Sequence, residues 1–163
     1  MFLSDHWQSY ELIDAEGGER LERWDRYILI RPDPQIIWHD ERKNPLWNEA
    51  HGVYRRQGGG GSWVVSRMPE SWCVCYPSAA GELTFRLRPM GFKHTGLFPE
   101  QASNWDWAAG LIRGAAAAGR PQPKVLNLFA YTGGATAACA KAGASLVHVD
   151  ASKGMTNAAR ENM

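Results

Sequence analysis

The chain has 163 residues, 44% of them hydrophobic and 21% charged, with a formal net charge of +1. This length suits one domain or two small ones, and the composition is that of a globular protein able to form a core rather than of a disordered chain. No apolar run approaches the roughly 20 residues of a membrane span, and charge appears too early for a signal peptide, so we expect a soluble, cytoplasmic protein.

The first 90 residues predict a β-rich region. Short segments rich in aromatic and β-branched residues alternate with turn residues. The predicted strands are Tyr10–Ala15, Arg20–Trp24, Tyr27–Pro32, Gln35–Trp38, Ser62–Ser66, Trp72–Tyr76 and Glu82–Arg88. The run Gly58–Ser62 resembles an engineered linker, but its position between two β segments favours a mobile loop of the native chain.

From Pro99 the pattern becomes helical and then alternates between strand and helix. A Pro–Glu start and apolar residues at helical spacing predict a helix over Pro99–Gly119, with Gly119 as its C-cap. The predicted elements after it are a strand at Val125–Phe129, a helix at Thr136–Lys141, a strand at Leu146–Asp150 and a helix from about Ser152. This βαβα order predicts an α/β fold that begins a doubly wound, Rossmann-like parallel sheet.

We therefore expect two domains, a β-rich accessory or substrate domain over residues 1–90 and a second domain over residues 91–163. Two parallel strands cannot form a covered sheet by themselves, because each face needs helices and neighbouring strands. The sequence is accordingly interpreted as a truncated, N-terminal fragment, with most of a catalytic domain beyond Met163.

The turn after the first parallel strand, Ala-Tyr-Thr-Gly-Gly at residues 130–134, differs from the Gly-x-Gly-x-x-Gly of dinucleotide sites. In those sites the glycines let the backbone approach a pyrophosphate at a helix N-terminus. Tyr131 occupies that space here, so a ligand without a phosphate fits better. S-adenosylmethionine meets this requirement, because its methionine end offers a carboxylate and an ammonium group to the backbone.

Asp150 ends the second parallel strand, 17 residues after Gly133. This is near the spacing at which an acidic residue accepts hydrogen bonds from ribose hydroxyls, and it suits both NAD and S-adenosylmethionine. Asp150 also fits a second role as the N-cap of the helix that follows.

Two segments resemble a known family. Leu126–Gly134 (LNLFAYTGG) resembles the "LN-x-F-x-YTGG" element of class I S-adenosylmethionine-dependent methyltransferases of the large-subunit ribosomal RNA, cytosine-5 type. Gly91–Trp105 (GFKHTGLFPEQASNW) is similar to the same family's "TG-x-F-x-(D/E)-Q" element, which precedes the catalytic domain and folds over the cofactor. The resemblance covers Gly91 to Asn162. The β-rich half resembles the family's accessory domain only loosely.

The resemblance implies that residues 91–163 form a cofactor lid and the first half of an S-adenosylmethionine-binding domain. The lid contacts would be Thr95, Phe98 and Gln101, the methionine-end contacts Phe129, Ala130, Tyr131, Thr132 and Gly133, the ribose contact Asp150, and the adenine contacts Ala151 and Ser152. Many relatives carry arginines where this chain has Ala102 and Trp105. Those arginines are expected to contact ligand or RNA, so their absence puts the target in doubt.

The groups that would activate a methyl acceptor are not evident in this sequence. Carbon methylation of cytosine would need a cysteine nucleophile, and Cys139 is interpreted as a packing residue, while Cys73 and Cys75 fall in the β-rich half. Methylation of an exocyclic amine would need an Asn/Asp-Pro-Pro element, which is absent. We assign no catalytic residue and no metal site, and expect the isolated chain to be inactive.

Three functional hypotheses remain. The favoured one is a methyltransferase that acts on ribosomal RNA, with aromatic and arginine side chains of the β-rich half contacting the RNA. The residues proposed for that contact are Trp24, Arg26, Arg31, Trp63, Arg67 and Trp72, although packing in the core explains most of the tryptophans more simply. The alternatives are a non-catalytic RNA-binding module and a nicotinamide-dependent oxidoreductase. A hydrolase that uses His148 with Asp150 lacks a nucleophile-elbow serine.

Overall fold

The computed structural model describes residues 3–163. The strands of this part of the chain are β1 (Tyr10–Glu16), β2 (Glu19–Trp24), β3 (Tyr27–Pro32), β4 (Gly52–Gln57), β5 (Gly60–Val65), β6 (Trp72–Ser78), β7 (Gly81–Leu87), β8 (Lys124–Leu128) and β9 (Ser145–Val149). The α-helices are α1 (Ala102–Ala117), α2 (Gly134–Lys141) and α3 (Lys153–Glu161), and single 3₁₀ turns cover Pro45–Asn48 and Pro99–Gln101. None of the described helices is both long and apolar enough to cross a bilayer.

By internal contacts the chain divides into two compact units. One contains Gln8–Val74 and Leu87–Thr95, and the other contains the N-terminal segment up to Trp7, Cys75–Arg86 and Gly96–Met163. Each unit therefore consists of separate segments of the chain, and two of the boundaries between them fall within β6 and β7. The predicted domain boundary at residue 90 stays a prediction.

The first unit is built on a five-stranded sheet in the order β1-β2-β3-β4-β5. Neighbouring strands pair antiparallel, except β3 and β4, which pair parallel. Strand β3 is buried at five of its six positions. Its side chains Ile28 and Ile30 pack with Leu21 and Trp47 in a hydrophobic cluster.

A charged network lies inside this sheet. The Glu22 side chain is completely buried and accepts bonds of 2.7 and 2.6 Å from Nη2 and Nε of Arg31. Tyr10 donates to the same carboxylate at 3.0 Å. Burial alone would raise the pKa of Glu22, but the positive charges of Arg31 and Arg20 and these hydrogen bonds outweigh it and lower the pKa.

The glycine run forms a β-hairpin turn and not an irregular loop. Gly58 and Gly59 connect β4 to β5, and Gly60 and Gly61 begin β5. Gly61 has no room for a side chain, because an added Cβ would lie 2.7 Å from the Tyr54 ring on the paired strand. Gly61 is required by this cross-strand packing and Gly58 by its left-handed conformation (φ +57°), so the run is a turn within a hairpin, and its mobility stays a prediction.

One predicted strand is absent. Gln35–Trp38 has no regular structure, and Ile37 within it is 79% exposed. The neighbouring Pro34 lacks a backbone donor, and a turn forms here instead, with the Ile36 N–H bonded to the Asp33 carbonyl at 3.1 Å. Strand β4 was not predicted from the sequence, because its last three residues, Arg55, Arg56 and Gln57, are polar and exposed.

The second unit carries the predicted alternation of strands and helices. Strands β8 and β9 pair parallel, with Leu126 opposite Val147. Helix α1 and helix α2 pack together, and α2 also contacts both strands. The predicted helix over Pro99–Gly119 begins later, because Pro99–Gln101 forms a separate 3₁₀ turn, and its C-cap is Ala118. Gly119, the predicted C-cap, is the next residue and adopts the left-handed conformation (φ +66°) that commonly follows a helix end.

The two parallel strands are only partly covered. Every second residue of β8 and β9 is exposed, including Leu126 (61%) and Val147 (57%). Strands of parallel sheets are ordinarily covered on both faces by helices. These apolar side chains therefore form an uncovered sheet face in the described part of the chain.

Candidate functional site

A cavity of about 290 Å³ lies at the carboxyl end of β8, within the second unit. Its lining residues come from the segment before α1, from the first turn of that helix, from β8 with the turn that follows it, and from the first two residues of α2. They are Leu97, Phe98, Gln101, Trp105, Asn127, Leu128, Phe129, Ala130, Tyr131, Thr132, Gly134 and Ala135. Open α/β sheets bind their ligands at this end of the strands, so this cavity is the candidate binding site.

The turn after β8 has an unusual backbone. Phe129 (φ +53°) and Tyr131 (φ +51°) both adopt the left-handed region, which side chains other than glycine rarely occupy. Phe129 is also 93% exposed beside the cavity. Left-handed residues of this kind cost of order 1–3 kcal/mol each and are concentrated at ligand sites, where surrounding contacts hold them in place.

The Asp150 carboxylate supplies one of those contacts. Its Oδ2 accepts the Tyr131 N–H at 2.8 Å, and its Oδ1 accepts the Ser152 N–H at 2.8 Å. These two backbone bonds, first from Ser152 and then from Tyr131, hold the pKa of Asp150 below its ordinary value. Asp150 is thus ionised at neutral pH and fixes the turn. The N-cap of α3 is Ser152, whose hydroxyl accepts the Met155 N–H.

Thr132 stabilises the same turn through two further hydrogen bonds. Its hydroxyl, which is buried, donates to the Gly96 carbonyl, and its own carbonyl accepts from Nδ2 of Asn162 at 2.9 Å. The neighbouring Gly133 lies against α3, where an added Cβ would be 3.1 Å from Cβ of Ala159. The turn is therefore held by both the segment before α1 and helix α3.

Trp105 forms the floor of the cavity. It is 3% exposed and packs against the rings of Phe85 and Tyr76, with centroids 5.2 and 5.8 Å away. A Cβ on Gly134 would lie 2.7 Å from Cζ2 of Trp105. The second glycine of the turn is therefore required by contact with an indole ring.

Polar and aromatic groups also meet around the cavity. The rings of Phe98 and Tyr131 lie 5.1 Å apart. Asn127 donates to the Thr136 hydroxyl at 2.9 Å, and the same hydroxyl contacts Nδ1 of His148 at 2.9 Å. This chain of bonds links β8, α2 and β9 beneath the site, and it occupies the His148 nitrogen that the hydrolase hypothesis would need for Asp150.

Six of the eleven predicted cofactor contacts line the cavity. They are Phe98, Gln101, Phe129, Ala130, Tyr131 and Thr132. Gly133, Asp150, Ala151 and Ser152 follow the ends of the strands but are not part of the lining, and Thr95 is a fully buried residue of the other compact unit. Their roles toward a cofactor stay predictions.

Sequence reasoning missed Trp105, Asn127 and Gly134 as site residues. Trp105 is four residues after Gln101 and thus on the same helical face, a spacing visible in the sequence. Asn127 is a polar residue within an apolar strand, which was a second available signal. Cys139 is buried in α2, and burial raises the pKa of its thiol, so it is a poor nucleophile.

Comparison with solved structures places this fold among S-adenosylmethionine-dependent methyltransferases. The chain is 34% identical to such an enzyme from Agrobacterium tumefaciens, with a TM-score of 0.85 over 96% of this chain and 48% of that one. A candidate S-adenosylmethionine-dependent methyltransferase from Streptococcus mutans matches at 17% identity and a TM-score of 0.65, over 97% of this chain and 43% of that one.

A further candidate methyltransferase, solved in complex with S-adenosylhomocysteine, matches at 16% identity and a TM-score of 0.63, over 97% of this chain and 43% of that one. The chain thus spans about half the length of these structures. No protein-family model and no curated protein matches it. The chain has the fold of S-adenosylmethionine-dependent methyltransferases over nearly its whole length.

Proposed function

We propose that this protein is an S-adenosylmethionine-dependent methyltransferase and that the cavity at the end of β8 holds the cofactor. The proposal rests on the position of this cavity, which lies at the strained turn after β8. This turn is held by contacts with the segment before α1 and with α3. The fold around it matches that of such an enzyme at 34% sequence identity. The structural neighbours support S-adenosylmethionine as the cofactor.

The lining residues fit this cofactor. The paired rings of Phe98 and Tyr131 offer π faces, which attract cations such as a sulfonium. Gln101 and Asn127 add side-chain donors and acceptors to the lining. Trp105 fills the space below Gly134 and leaves no recess for a pyrophosphate there, which argues against a dinucleotide.

When bound, the cofactor supplies an electrophilic methyl group and departs as a neutral thioether, so the protein's main task is alignment. Tyr131 is held in its left-handed conformation by the bond from its N–H to Asp150, a contact that lies within the protein and needs no ligand. The remaining lone pairs of the Asp150 carboxylate are available to ribose hydroxyls. Preorganisation of this kind reduces the entropy lost on binding.

The finer assignments are also proposals. The family resemblance of the two motifs supports ribosomal RNA as the substrate and cytosine C5 as the methylated atom. The uncovered apolar face of β8 and β9 supports completion of the sheet by further polypeptide, which would also carry the catalytic residues. The chain described here would then hold the cofactor half of the site and be inactive alone.

The test is calorimetric titration of the full-length protein with S-adenosylhomocysteine and, separately, with NAD. We expect binding of the first and not of the second. Asp150→Asn should weaken S-adenosylhomocysteine binding by about 10- to 100-fold. The amide keeps one acceptor oxygen, but its NH₂ cannot accept the second backbone N–H and the negative charge is gone, so roughly 1–3 kcal/mol is lost. Asp40→Asn, at an exposed carboxylate of the other unit, is the matched control and should leave binding unchanged. NAD binding without S-adenosylhomocysteine binding would overturn the proposal in favour of the oxidoreductase.

A further inference from the structure

A second concave surface, of about 540 Å³, lies in the first unit. One wall is the β4–β5 hairpin, with Tyr54, Arg56 and the turn at Gly58–Gly60, and the other is the loop of Gly91, Phe92 and Lys93. We call this surface the hairpin groove. Tyr54 and Arg56 are two residues apart on β4, so both side chains point to the same face of the strand.

The loop wall is fixed to the sheet by several hydrogen bonds. Trp63 Nε1 donates to the Phe92 carbonyl at 3.1 Å, and Arg31 donates to the Lys93 carbonyl at 3.3 Å. Lys93 Nζ donates to the Pro32 carbonyl at 3.2 Å. The Trp63 ring in turn packs edge-on against Tyr54 at 5.6 Å. The groove is therefore preformed and does not need a ligand to order its walls.

The groove is positively charged. Arg20 is bonded to Asp33 and Arg31 to Glu22, so their charges are largely matched. Across residues 3–163, no carboxylate forms an ion pair with Arg56 or Lys93. Arg56 thus faces the groove without a carboxylate partner among these residues, and Lys93 faces it with only the longer-range attraction of Asp33.

The environment of nearby groups agrees with this excess of positive charge. Burial lowers the pKa of Lys93, and among the charges Arg56, Arg20 and Arg31 lower it further against the opposing effect of Asp33. Burial also lowers the pKa of His94 to about 4, helped by Arg31 and Lys93. An anion in the groove would relieve this repulsion.

The hairpin groove also contains an exposed aromatic ring and a glycine turn. The Phe92 ring is 42% exposed on the loop wall. At Gly58, Gly59 and Gly60 an added Cβ would meet nothing within 4 Å, so no side chain covers the hairpin end of the groove. Cationic side chains beside an exposed ring, along an open groove, form the usual binding surface for a single nucleic-acid strand.

From this arrangement we propose that the hairpin groove binds single-stranded RNA, with Arg56 and Lys93 contacting phosphates and Phe92 stacking on a base. This inference rests on the proposed function for its choice of RNA. Three of the residues expected from the sequence to contact RNA are unable to do so, because Trp24 and Arg31 are buried in the five-stranded sheet and Trp72 is buried on β6. The groove offers Arg56 and Phe92 instead.

The test measures fluorescence anisotropy of a labelled single-stranded RNA of about 12 nucleotides with the full-length protein over a salt series. Arg56→Gln should weaken binding several-fold and reduce the slope of log K against log salt by about 0.7, the value for one lost phosphate contact on a single strand. Arg56→Lys should restore the slope. Phe92→Ala should weaken binding about fivefold or more at every salt concentration.

Arg120→Gln is the matched control. Arg120 is exposed and follows α1 in the other compact unit, so its replacement changes the net charge by the same amount without changing the groove. Its effect on RNA affinity should be small, and the thermal midpoints of all variants should match that of the native protein. Equal weakening by Arg120→Gln and Arg56→Gln would overturn the proposal, as would tighter binding of poly-glutamate than of RNA.

The calorimetric titration of the cofactor separates this proposal from the previous one. RNA binding through Arg56 and Phe92 without S-adenosylhomocysteine binding would support the groove and reject the methyltransferase. S-adenosylhomocysteine binding with no RNA binding would retain the methyltransferase and reject the groove.

Discussion

Strands β3 and β8 have similar apolar sequences and opposite environments. Tyr27–Pro32 (YILIRP) is buried at five of six positions, whereas Lys124–Leu128 (KVLNL) is exposed at three of five. The difference lies in the neighbours, because β3 pairs on both sides within a five-stranded sheet and β8 pairs only with β9 in the described chain. The apolar content of a strand thus predicts that its side chains need to be covered, but which other elements cover them depends on the rest of the fold.

The two units also differ in how they use carboxylates. Glu22 is completely buried in the five-stranded sheet and pairs with Arg31. Asp150 lies at the end of the open sheet and binds two backbone N–H groups next to the cavity. The first carboxylate is a structural element of a closed core, and the second orders a surface that is open to a ligand.

The largest effect is expected at the buried ion pair. Glu22→Ala leaves the Arg31 guanidinium buried without its carboxylate and should destabilise the protein by about 3–5 kcal/mol, measured by urea unfolding. Glu11→Ala removes the partner of Arg23 in a pair of 3.2 Å with both side chains partly exposed, and should cost less than about 1 kcal/mol. Similar losses for both variants would show that the sheet does not exclude water around Glu22.

A matched pair of leucine substitutions tests the strand comparison directly. Leu29→Ala in β3 removes a fully buried side chain and should cost about 2–5 kcal/mol. Leu128→Ala in β8, where the side chain is 54% exposed, should change stability by only about 0.5 kcal/mol in this chain. Equal losses in urea unfolding of this chain would mean that β8 is covered in solution, and its oligomeric state by light scattering would then identify self-association.

A smaller effect is expected at the floor of the cavity, where the open unit is tightly packed. Gly134→Ala places a Cβ against the Trp105 ring and should destabilise the protein by about 1–3 kcal/mol, with weaker binding of S-adenosylhomocysteine. Gly114→Ala on the exposed face of α1 meets open space and should instead stabilise the protein by about 0.5–1 kcal/mol. If both substitutions stabilise, Trp105 is free to move and does not define the site.

The sequence by itself determined the local elements wherever periodicity and end signals agreed. The alternation of Leu83, Phe85 and Leu87 predicted β7, and the helical spacing before Gly119 predicted α1, although the helix begins at Ala102 and not at Pro99. Where proline or polar residues confused the pattern, at Gln35–Trp38 and at β4, the prediction was wrong or missing. Local chemistry acts within a few residues of chain, so it can be read from the sequence.

Only the tertiary structure decided how distant residues meet. It placed Trp105 under Gly134, bonded Asp150 to Tyr131, buried Trp24 and Trp72, and brought Phe92 and Lys93 to the β4–β5 hairpin. Each of these contacts joins positions far apart along the chain, and their geometry depends on how whole elements pack. A sequence pattern specifies which side chains are available, whereas packing specifies which of them share a site.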